Sequence, residues 1–385
     1  MFSSRFHWDL KPNRITLALE QKRRNGIPIL DLTESNPTRA GLVYPGEILQ
    51  SFGEERILRY DPAPAGMIEA REAVAAYYAK RGIRAEPHRI LLTASTSEAY
   101  AYLFKLLADP GDEVLVPRPS YPLFEFLAAM ESVVVRSYPL VYYDGWSLDW
   151  ERLVAEITPR TRAIVVVNPN NPTGSFLRIR ERERLARLSQ DRQIALISDE
   201  VFSDYAFAPD PDRAETVAEM ETGLAFALSG LSKIAGLPQM KLGWVVVAGE
   251  SEARRRAWER LEWIADTYLS VGTPVQCSAP HLLAAGQQVQ QQIRARTAAN
   301  LEFAREALTG TAANLLRVEG GWHATLQVPR VRSEEEWTLE LLEQANVLVQ
   351  PGYFFDFETE AFLIVSLLTP PGVFQDGIRR LVGFL

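Results

Sequence analysis

Seven short apolar runs, rich in valine and isoleucine, constrain the fold of this chain most strongly. They are continuous rather than alternating, which is typical of strands buried on both faces of a sheet. Helical patterns lie between them, as in residues 97–107 and 178–190. The sequence therefore predicts an α/β domain in which helices cover both faces of a sheet. The runs are Ile90–Thr93, Glu113–Val116, Val133–Val135, Ile164–Val167, Ile194–Ile197, Phe226–Leu228 and Val245–Val247.

The pattern changes near Gln276, where a long polar helix rich in Gln, Arg and Ala begins. Strands are predicted at residues 322–328 and 362–367, and Ser333 to Glu336 between them has the pattern of a capping box. We expect a large domain at residues 46–275. We expect residues 1–45 and 276–385 to form a smaller α+β domain.

Charge and cysteine content exclude several classes of protein. The 385 residues contain 41 Lys and Arg against 49 Asp and Glu, so the net charge of −8 argues against a nucleic-acid partner. A single cysteine, Cys277, excludes an internal disulfide, and no apolar run is long enough for a membrane helix. We therefore expect a cytoplasmic protein without a membrane partner. The histidines His7, His88, His281 and His323 lack metal-site spacing, so no metal is expected.

Ligands of an open α/β sheet collect at the carboxyl ends of its strands, so we examined the residues that follow each run. Ser95, Thr96 and Ser97 follow the first run at a helix start, where free N–H groups favour a phosphate, although such residues also serve as simple N-caps. Tyr121 follows the second run in a proline-rich turn. It is either a stacking face for an aromatic ring or a core tyrosine.

Three further polar groups follow later runs. Asn171 lies in an amide-rich turn, and Asp199 ends a buried strand, where an unpaired carboxylate would be costly without a cation. Lys233 follows an apolar run at the edge of a Gly/Pro loop. A lysine held in that way can act as a Schiff-base nucleophile.

The segments Asn171–Gly174, Asp199–Val201 and Ser232–Lys233 together resemble the motifs of class I/II pyridoxal-phosphate aminotransferases of fold type I, in family order and at family-like spacing. The resemblance extends over the whole chain. It implies a large domain with a central, mostly parallel, seven-stranded sheet between helices, and a smaller α+β domain. It also implies pyridoxal 5'-phosphate as cofactor.

The resemblance implies a role for each matched residue. Lys233 would form the Schiff base and move the proton, and Asp199 would pair with the protonated pyridine nitrogen. Asn171 would donate to the ring oxygen and Tyr121 would stack on the ring. Tyr60 would reach the phosphate of the neighbouring subunit, which implies a homodimer. The residues that would complete the cofactor site are Ser95, Thr96, Ser97, Phe202, Ser232 and Lys241.

Four positions depart from the family pattern. Phe202 replaces a usual tyrosine, Gly230 replaces a frequent phosphate-binding serine, and Lys241 replaces the usual phosphate arginine. Lys241 keeps the positive charge without the bidentate geometry, although it could also be a surface lysine. Ile364 stands where an arginine normally binds the substrate carboxylate. A branched aliphatic side chain cannot bind that group.

Either another cation replaces the missing arginine or no such anchor exists, and the sequence does not rank the candidate cations. They are Arg14, Arg39, Arg118 and Lys105. His323 could contact the substrate, although a structural histidine is the more common case.

The leading hypothesis is an aminotransferase that moves an amino group between an amino donor, expected to be an amino acid, and a 2-oxo acid through Lys233. A lyase or decarboxylase of the same fold is the alternative, because such enzymes keep the cofactor residues and break a different bond. A cofactor-binding protein without catalytic activity is a third reading. The retained lysine, acid and amide argue against it.

Overall fold

The computed structural model describes residues 2–5, 8 and 11–385, so His7 lies outside the described residues. The strands are β1 Leu30–Asp31, β2 Ile90–Thr93, β3 Glu113–Arg118, β4 Val134–Tyr142, β5 Trp146–Leu148, β6 Thr161–Val167, β7 Ala195–Asp199, β8 Leu224–Gly230, β9 Gly243–Gly249, β10 Asn314–Leu315, β11 His323–Gln327, β12 Val347–Leu348, β13 Gln350–Pro351 and β14 Phe362–Ser366.

The α-helices are α1 Arg14–Arg24, α2 Ile68–Lys80, α3 Thr96–Leu107, α4 Phe124–Met130, α5 Trp150–Ala155, α6 Ile179–Arg192, α7 Leu231–Ile234, α8 Ser251–Tyr268, α9 Thr273–Leu308, α10 Glu334–Glu340 and α11 Pro371–Phe384. Short 3₁₀ helices lie at Gly46–Gly53, Glu55–Leu58, Pro87–Arg89, Pro238–Met240 and Gly352–Phe355, and a π-helical turn lies at Leu341–Ala345. Across the described residues, every helix is too short or too polar to cross a bilayer.

The large sheet has the order β2-β9-β8-β7-β6-β3-β4-β5 within the described residues. Neighbours from β8 to β4 run parallel, whereas β9 is antiparallel to β2 and β8. All seven predicted strands are present, so the prediction of a mostly parallel sheet is confirmed. The predicted number of seven is wrong by one strand: the short edge strand β5 folds back on β4, pairing Trp146 with Tyr142. Its three residues alternate in polarity, so it had no continuous apolar run.

Buried side chains alternate between the two faces of the large sheet. Leu92, Ile164 and Val246 belong to a cluster that includes side chains of α2, α6 and α9. Leu91 and Val165 belong to a second cluster on the other face with α3, α4 and α8. Both faces are therefore covered, which explains why the strands are apolar at every position rather than at every second one.

A smaller part of the molecule combines the two ends of the chain. Its antiparallel sheet has the order β10-β11-β14-β13, and β1 pairs in parallel with β12. Leu32 packs in one cluster with Leu326, Trp337 and Phe374. The predicted capping box is present, since Ser333 Oγ accepts from Glu336 N at 3.2 Å. The boundaries at residues 45/46 and 275/276 stay a prediction, and the continuous helix α9 begins before the second of them.

Candidate active site

A cavity of about 480 Å³ opens at the carboxyl ends of the central strands. It brings together residues that are far apart in sequence, because β6, β7 and β8 are neighbours in the sheet. Ten of the eleven residues predicted for the cofactor site line it. They are Ser95, Thr96, Ser97, Tyr121, Asn171, Asp199, Phe202, Ser232, Lys233 and Lys241.

One part of the cavity wall is the N-terminus of α3. Ser95 is the N-cap, and its Oγ accepts from Glu98 N at 3.2 Å. The first-turn N–H groups of Thr96 and Ser97 have no acceptor inside the helix, so they are free to bind an anion. Lys241 also lines this cavity and forms no salt bridge with any described residue. The N–H groups and the lysine line the same cavity and are suited to an anion, and we call this set of groups the α3 cradle.

Two glycines allow the backbone to close around the α3 cradle. Gly243 pairs with Thr93 on one side and with Gly230 on the other. A Cβ on Gly230 would lie 2.9 Å from both Gly243 Cα and Leu242 O, which is closer than side chains tolerate. The strands of this chain approach too closely at residue 230 for a side chain, so a serine would not fit there without a shift of the backbone.

Lys233 and Asp199 both face the cavity. Lys233 lies in the short helix α7 directly after β8, and Tyr205 Oη donates to its backbone carbonyl at 2.5 Å. Its Nζ lies 5.2 Å from the Trp322 ring centroid and 5.7 Å from the Phe202 ring centroid, and it forms no salt bridge with a described residue. Burial lowers the pKa of Lys233, and the nearby charge of Asp199 opposes that shift. The lysine is thus poised to lose its proton and act as a nucleophile.

Asp199 ends β7 and accepts two hydrogen bonds. Val201 N donates to Oδ1 at 3.2 Å and Tyr100 Oη donates to Oδ2 at 3.3 Å. Burial nevertheless raises the pKa of Asp199 to about 6, although both hydrogen bonds and the charge of Lys233 favour the ionised form. Tyr100 was not predicted, because a tyrosine within an apolar helix pattern looks like an ordinary core residue.

The pKa of Asp199 predicts a stability cost in the cofactor-free protein. Its folded pKa of about 6 lies above the ordinary value of 3.8, so the folded state binds more protons between these pH values and stability falls as pH rises through that window. We expect Asp199→Asn to increase the unfolding free energy by roughly 1–3 kcal/mol at pH 8 and by almost nothing near pH 4. Urea unfolding of both proteins at the two pH values measures this difference. An equal effect at both pH values would contradict it.

An aromatic wall adjoins Lys233. Phe202 packs edge-on against Trp322 with 5.2 Å between ring centroids, so the position that lacks the family's hydroxyl is part of an apolar cluster. His323 also lines the cavity, and its Nε2 lies 3.1 Å from Ser35 Oγ. Burial lowers the pKa of His323 to about 3, so the ring is neutral at physiological pH.

Sequence reasoning missed the cavity-lining residues that the two ends of the chain contribute beside His323: Thr33, Ser35, Gln350 and Phe355. Thr33 and Ser35 follow β1, which pairs with β12 from the other end of the chain. The cluster of Thr, Glu, Ser and Asn after that strand was the one available signal. No sequence pattern around Gln350 or Phe355 indicated a role in the cavity.

None of the four proposed replacement cations lines the cavity. Arg14 pairs with Glu335 at 2.9 Å and Lys105 pairs with Glu131. Arg118 borders a separate small pocket, 3.9 Å from Asp356, and Arg39 is exposed. Ile364 is fully buried.

Tyr60 lies outside the cavity of its own chain and is 76% exposed. It borders a shallow cleft with the end of α8, including Leu269 and Ser270. Its role in a neighbouring subunit stays a prediction.

The family model described as aminotransferase class I and II matches residues 40–376. The chain belongs to this family. It is therefore a pyridoxal-phosphate-dependent aminotransferase, and the predicted family, cofactor and enzyme class are confirmed. The lyase and the non-catalytic binding protein are not supported by these matches.

Two curated relatives and one solved structure illustrate the similarity of this aminotransferase to known proteins. The glutamate-pyruvate aminotransferase AlaA of Escherichia coli (strain K12) is 28% identical over 284 residues, covering 71% of this chain and 68% of that protein. The aspartate/prephenate aminotransferase of Thermus thermophilus is 28% identical over 360 residues, covering 90% of this chain and 89% of that protein. An alanine aminotransferase from Pyrococcus furiosus superposes with a TM-score of 0.89 at 22% identity, covering 100% of this chain and 99% of that chain.

The cavity of this aminotransferase fits a phosphorylated pyridine. The α3 cradle suits a phosphate, Asp199 suits a protonated ring nitrogen, and Lys233 is an amine without a salt-bridge partner in the described chain. Asn171 has a buried Oδ1 that lacks a hydrogen-bond partner among the described residues. Such an orphaned polar group is costly unless a bound molecule satisfies it.

Proposed function

We infer that the cavity is the catalytic site and that Lys233 and Asp199 are its catalytic residues. One observation carries this: Ser97, Tyr121, Asn171, Asp199 and Lys233, which follow five different strands or turns, line a single cavity. The reaction moves an amino group from an amino donor to a 2-oxo acid. Pyridoxal phosphate supplies an electron-accepting ring that stabilises negative charge on the substrate carbon.

Lys233 has two tasks in this proposal. Its Nζ would hold the cofactor covalently between turnovers, and the same Nζ, when free, would accept the proton from the substrate's amine-bearing carbon. The lowered pKa supports both tasks, since each needs a neutral amine. Asp199 keeps the ring nitrogen protonated through an ion pair, which increases the ring's capacity to accept electrons.

The remaining residues bind and orient. Thr96 and Ser97 hold the phosphate with N–H and hydroxyl groups of the α3 cradle, with Lys241 as the cation. Tyr121 would stack on the ring, and the side-chain NH₂ of Asn171 would donate to the ring oxygen. Ser95, Ser232 and Phe202 complete the wall of the cofactor site.

The absorption spectrum of the bound cofactor tests this function. Adding an amino donor alone to the loaded protein should change the spectrum, and adding a 2-oxo acid afterwards should restore it. The alternative lyase or decarboxylase would instead release ammonia, a thiol or CO₂ without any 2-oxo acid. A loaded protein that responds to no amine would contradict the proposed transfer.

A homodimer is part of the proposal. Four large apolar side chains between residues 43 and 60 are at least 70% exposed: Val43, Leu49, Leu58 and Tyr60. Exposed apolar groups concentrated in one segment are typical of an interaction surface. A second copy of this chain would cover them and would place Tyr60 near the neighbour's phosphate. The molar mass in solution, from light scattering or sedimentation, checks the dimer.

Removing the Tyr60 hydroxyl tests the shared site. We expect Tyr60→Phe to weaken cofactor affinity about 10-fold, because one hydrogen bond to a charged phosphate is lost. Tyr143→Phe is the matched control, since Tyr143 is also exposed, at 84%, and lies outside the cavity. Cofactor dissociation constants measured by equilibrium dialysis compare the two variants. Equal values for both would contradict a phosphate contact by Tyr60.

The cytoplasmic location also remains a proposal. It rests on the single cysteine, Cys277, which is buried. Cell fractionation with an antibody against the protein would check it.

A further inference from the structure

The wall that residues 33–35 and 323–355 contribute to the cavity has no charged lining side chain. Its members are Thr33, Ser35, His323, Gln350 and Phe355. Burial holds the pKa of His323 near 3, so this ring is also neutral. Among all described residues that line the cavity, the cations are Lys233 and Lys241, which the proposed function assigns to the cofactor. We call these five residues the neutral wall.

The apolar backing of the neutral wall follows from strand register. Ile364 on β14 pairs with Thr325 on β11 and with Gln350 on β13. Directly paired residues share one face of a sheet, so Ile364 and Gln350 lie side by side on the face that borders the cavity. Ile364 is fully buried in a cluster with Trp146, Phe355 and Phe362. Apolar side chains therefore fill the space next to Gln350.

The polar groups of the neutral wall can donate and accept hydrogen bonds without charge. The Gln350 amide makes no side-chain hydrogen bond within the described chain, so its NH₂ and carbonyl are both available. Ser35 Oγ and His323 Nε2 lie 3.1 Å apart and form a second neutral pair. A carboxylate at this wall would lose water without gaining a cation, whereas a carboxamide or hydroxyl would exchange hydrogen bonds at little cost.

We propose that the preferred amino donor carries a neutral hydrogen-bonding group, such as a carboxamide or hydroxymethyl, next to its amine-bearing carbon, and that Gln350 with the Ser35–His323 pair recognises it. This inference rests on the proposed aminotransferase function. It names Gln350 and Ile364 as the residues that determine specificity. A 2-oxo acid occupies the same wall in the second half of the reaction, so its carboxylate binds weakly.

The chemistry balances without a further reactant. The donor's C–N and C–H bonds break and its carbon gains a carbonyl oxygen from water, while the acceptor's carbonyl carbon gains the nitrogen and a hydrogen and loses its oxygen as water. The donor is oxidised by two electrons and the acceptor is reduced by two.

Matched donors test the proposal on the wild-type protein. L-phenylalanine, L-phenylalaninamide and L-phenylalaninol differ only in the group that meets the neutral wall. We expect the two neutral donors to convert the bound cofactor with a higher second-order rate constant than the carboxylate, as followed by absorbance. A faster reaction with L-phenylalanine would overturn the inference. A cation from the partner subunit or from Arg39 would produce that result.

Binding without reaction gives a second, independent measurement. Hydrocinnamide and hydrocinnamate lack an amine, so their dissociation constants report recognition alone. We expect the amide to bind more tightly to the wild-type protein. Tighter binding of the carboxylate would overturn the inference whatever the kinetics show.

A cation placed beside the neutral wall should reverse the preference. We expect Ile364→Arg to favour L-phenylalanine over its amide and to lower the KM for pyruvate, each by about 10-fold or more. Ile364→Met, long but uncharged, is the control and should keep the neutral preference. If the buried arginine prevents folding, Gln350→Lys provides the cation on a partly exposed side chain instead. Gln350→Met is then the uncharged control. An unchanged preference in a folded, cation-bearing variant would overturn the inference.

The outcomes separate the two proposals. If no donor of any kind converts the cofactor of a fully loaded protein, the proposed function fails and the inference fails with it. If the donors react but the carboxylate is preferred, the aminotransferase function stands and only the inference is overturned.

Discussion

Replacing Lys233 with alanine should nearly abolish turnover. The loss of proton transfer alone removes roughly 10²–10⁴-fold in rate, and the loss of covalent cofactor attachment adds to it. Both effects follow from the position of Lys233 on the cavity wall with a lowered pKa and no salt bridge to a described residue. Borohydride reduction followed by peptide mass spectrometry should find the cofactor on residue 233 of the wild-type protein and on no peptide of the variant.

Lys241→Ala is the matched control for that experiment. Lys241 lines the same cavity, so its removal should weaken cofactor affinity through the phosphate. Covalent attachment at Lys233 should persist at saturating cofactor. If Lys241→Ala abolished attachment while Lys233→Ala retained it, the roles of the two lysines would have to be exchanged.

Replacing Asp199 with asparagine should produce the second largest loss of activity. The amide has nearly the same shape but cannot form an ion pair with a protonated ring nitrogen. Truncating one partner of a buried charge pair costs about 2–5 kcal/mol, which corresponds to roughly 30- to several-thousand-fold in rate. Rapid mixing of the loaded variant with its donor measures the half-reaction directly. The cofactor should remain bound covalently, because Lys233 is unchanged.

Glu200→Gln separates this electronic effect from a structural one. Glu200 is buried beside Asp199 but lies outside the cavity lining, and its carboxylate accepts from Ser198 Oγ at 2.9 Å and Thr216 Oγ1 at 2.7 Å. We expect Glu200→Gln to lower stability and to retain most of the half-reaction rate in the folded protein. Equal rate losses in both variants would indicate that Asp199 acts only by holding the loop.

Continuous apolar runs predicted the large sheet well, because burial on both faces leaves a strong signal in sequence. The residues after these runs predicted the cofactor side of the cavity for the same reason: neighbouring parallel strands end at one edge. Asp199 ends β7, and Asn171 and Lys233 follow β6 and β8, which are the neighbours of β7 in the sheet. The order of the strands along the chain was therefore enough to predict that these three residues lie close together.

The substrate side could not be predicted in this way. Ser35 and Gln350 line the same cavity because β1 pairs with β12 across more than 300 residues, and two-residue strands leave almost no pattern in the sequence. The sequence predicted that Ile364 stands where an arginine usually binds the carboxylate. It offered four arginines and lysines as replacements, and none of them lines the cavity. The side chains that surround the missing arginine's position are set by tertiary packing, which the sequence pattern does not reveal.

The pairing of β1 with β12 also sets the order in which a new chain can become active. A ribosome releases residues 95–241, which bind the cofactor in our proposal, well before residues 347–348 are available for β1. Domains generally fold as they emerge during synthesis. A nascent chain can therefore bring together the lysine and aspartate that we propose as catalytic before the neutral wall exists, so in our proposal selectivity is acquired last.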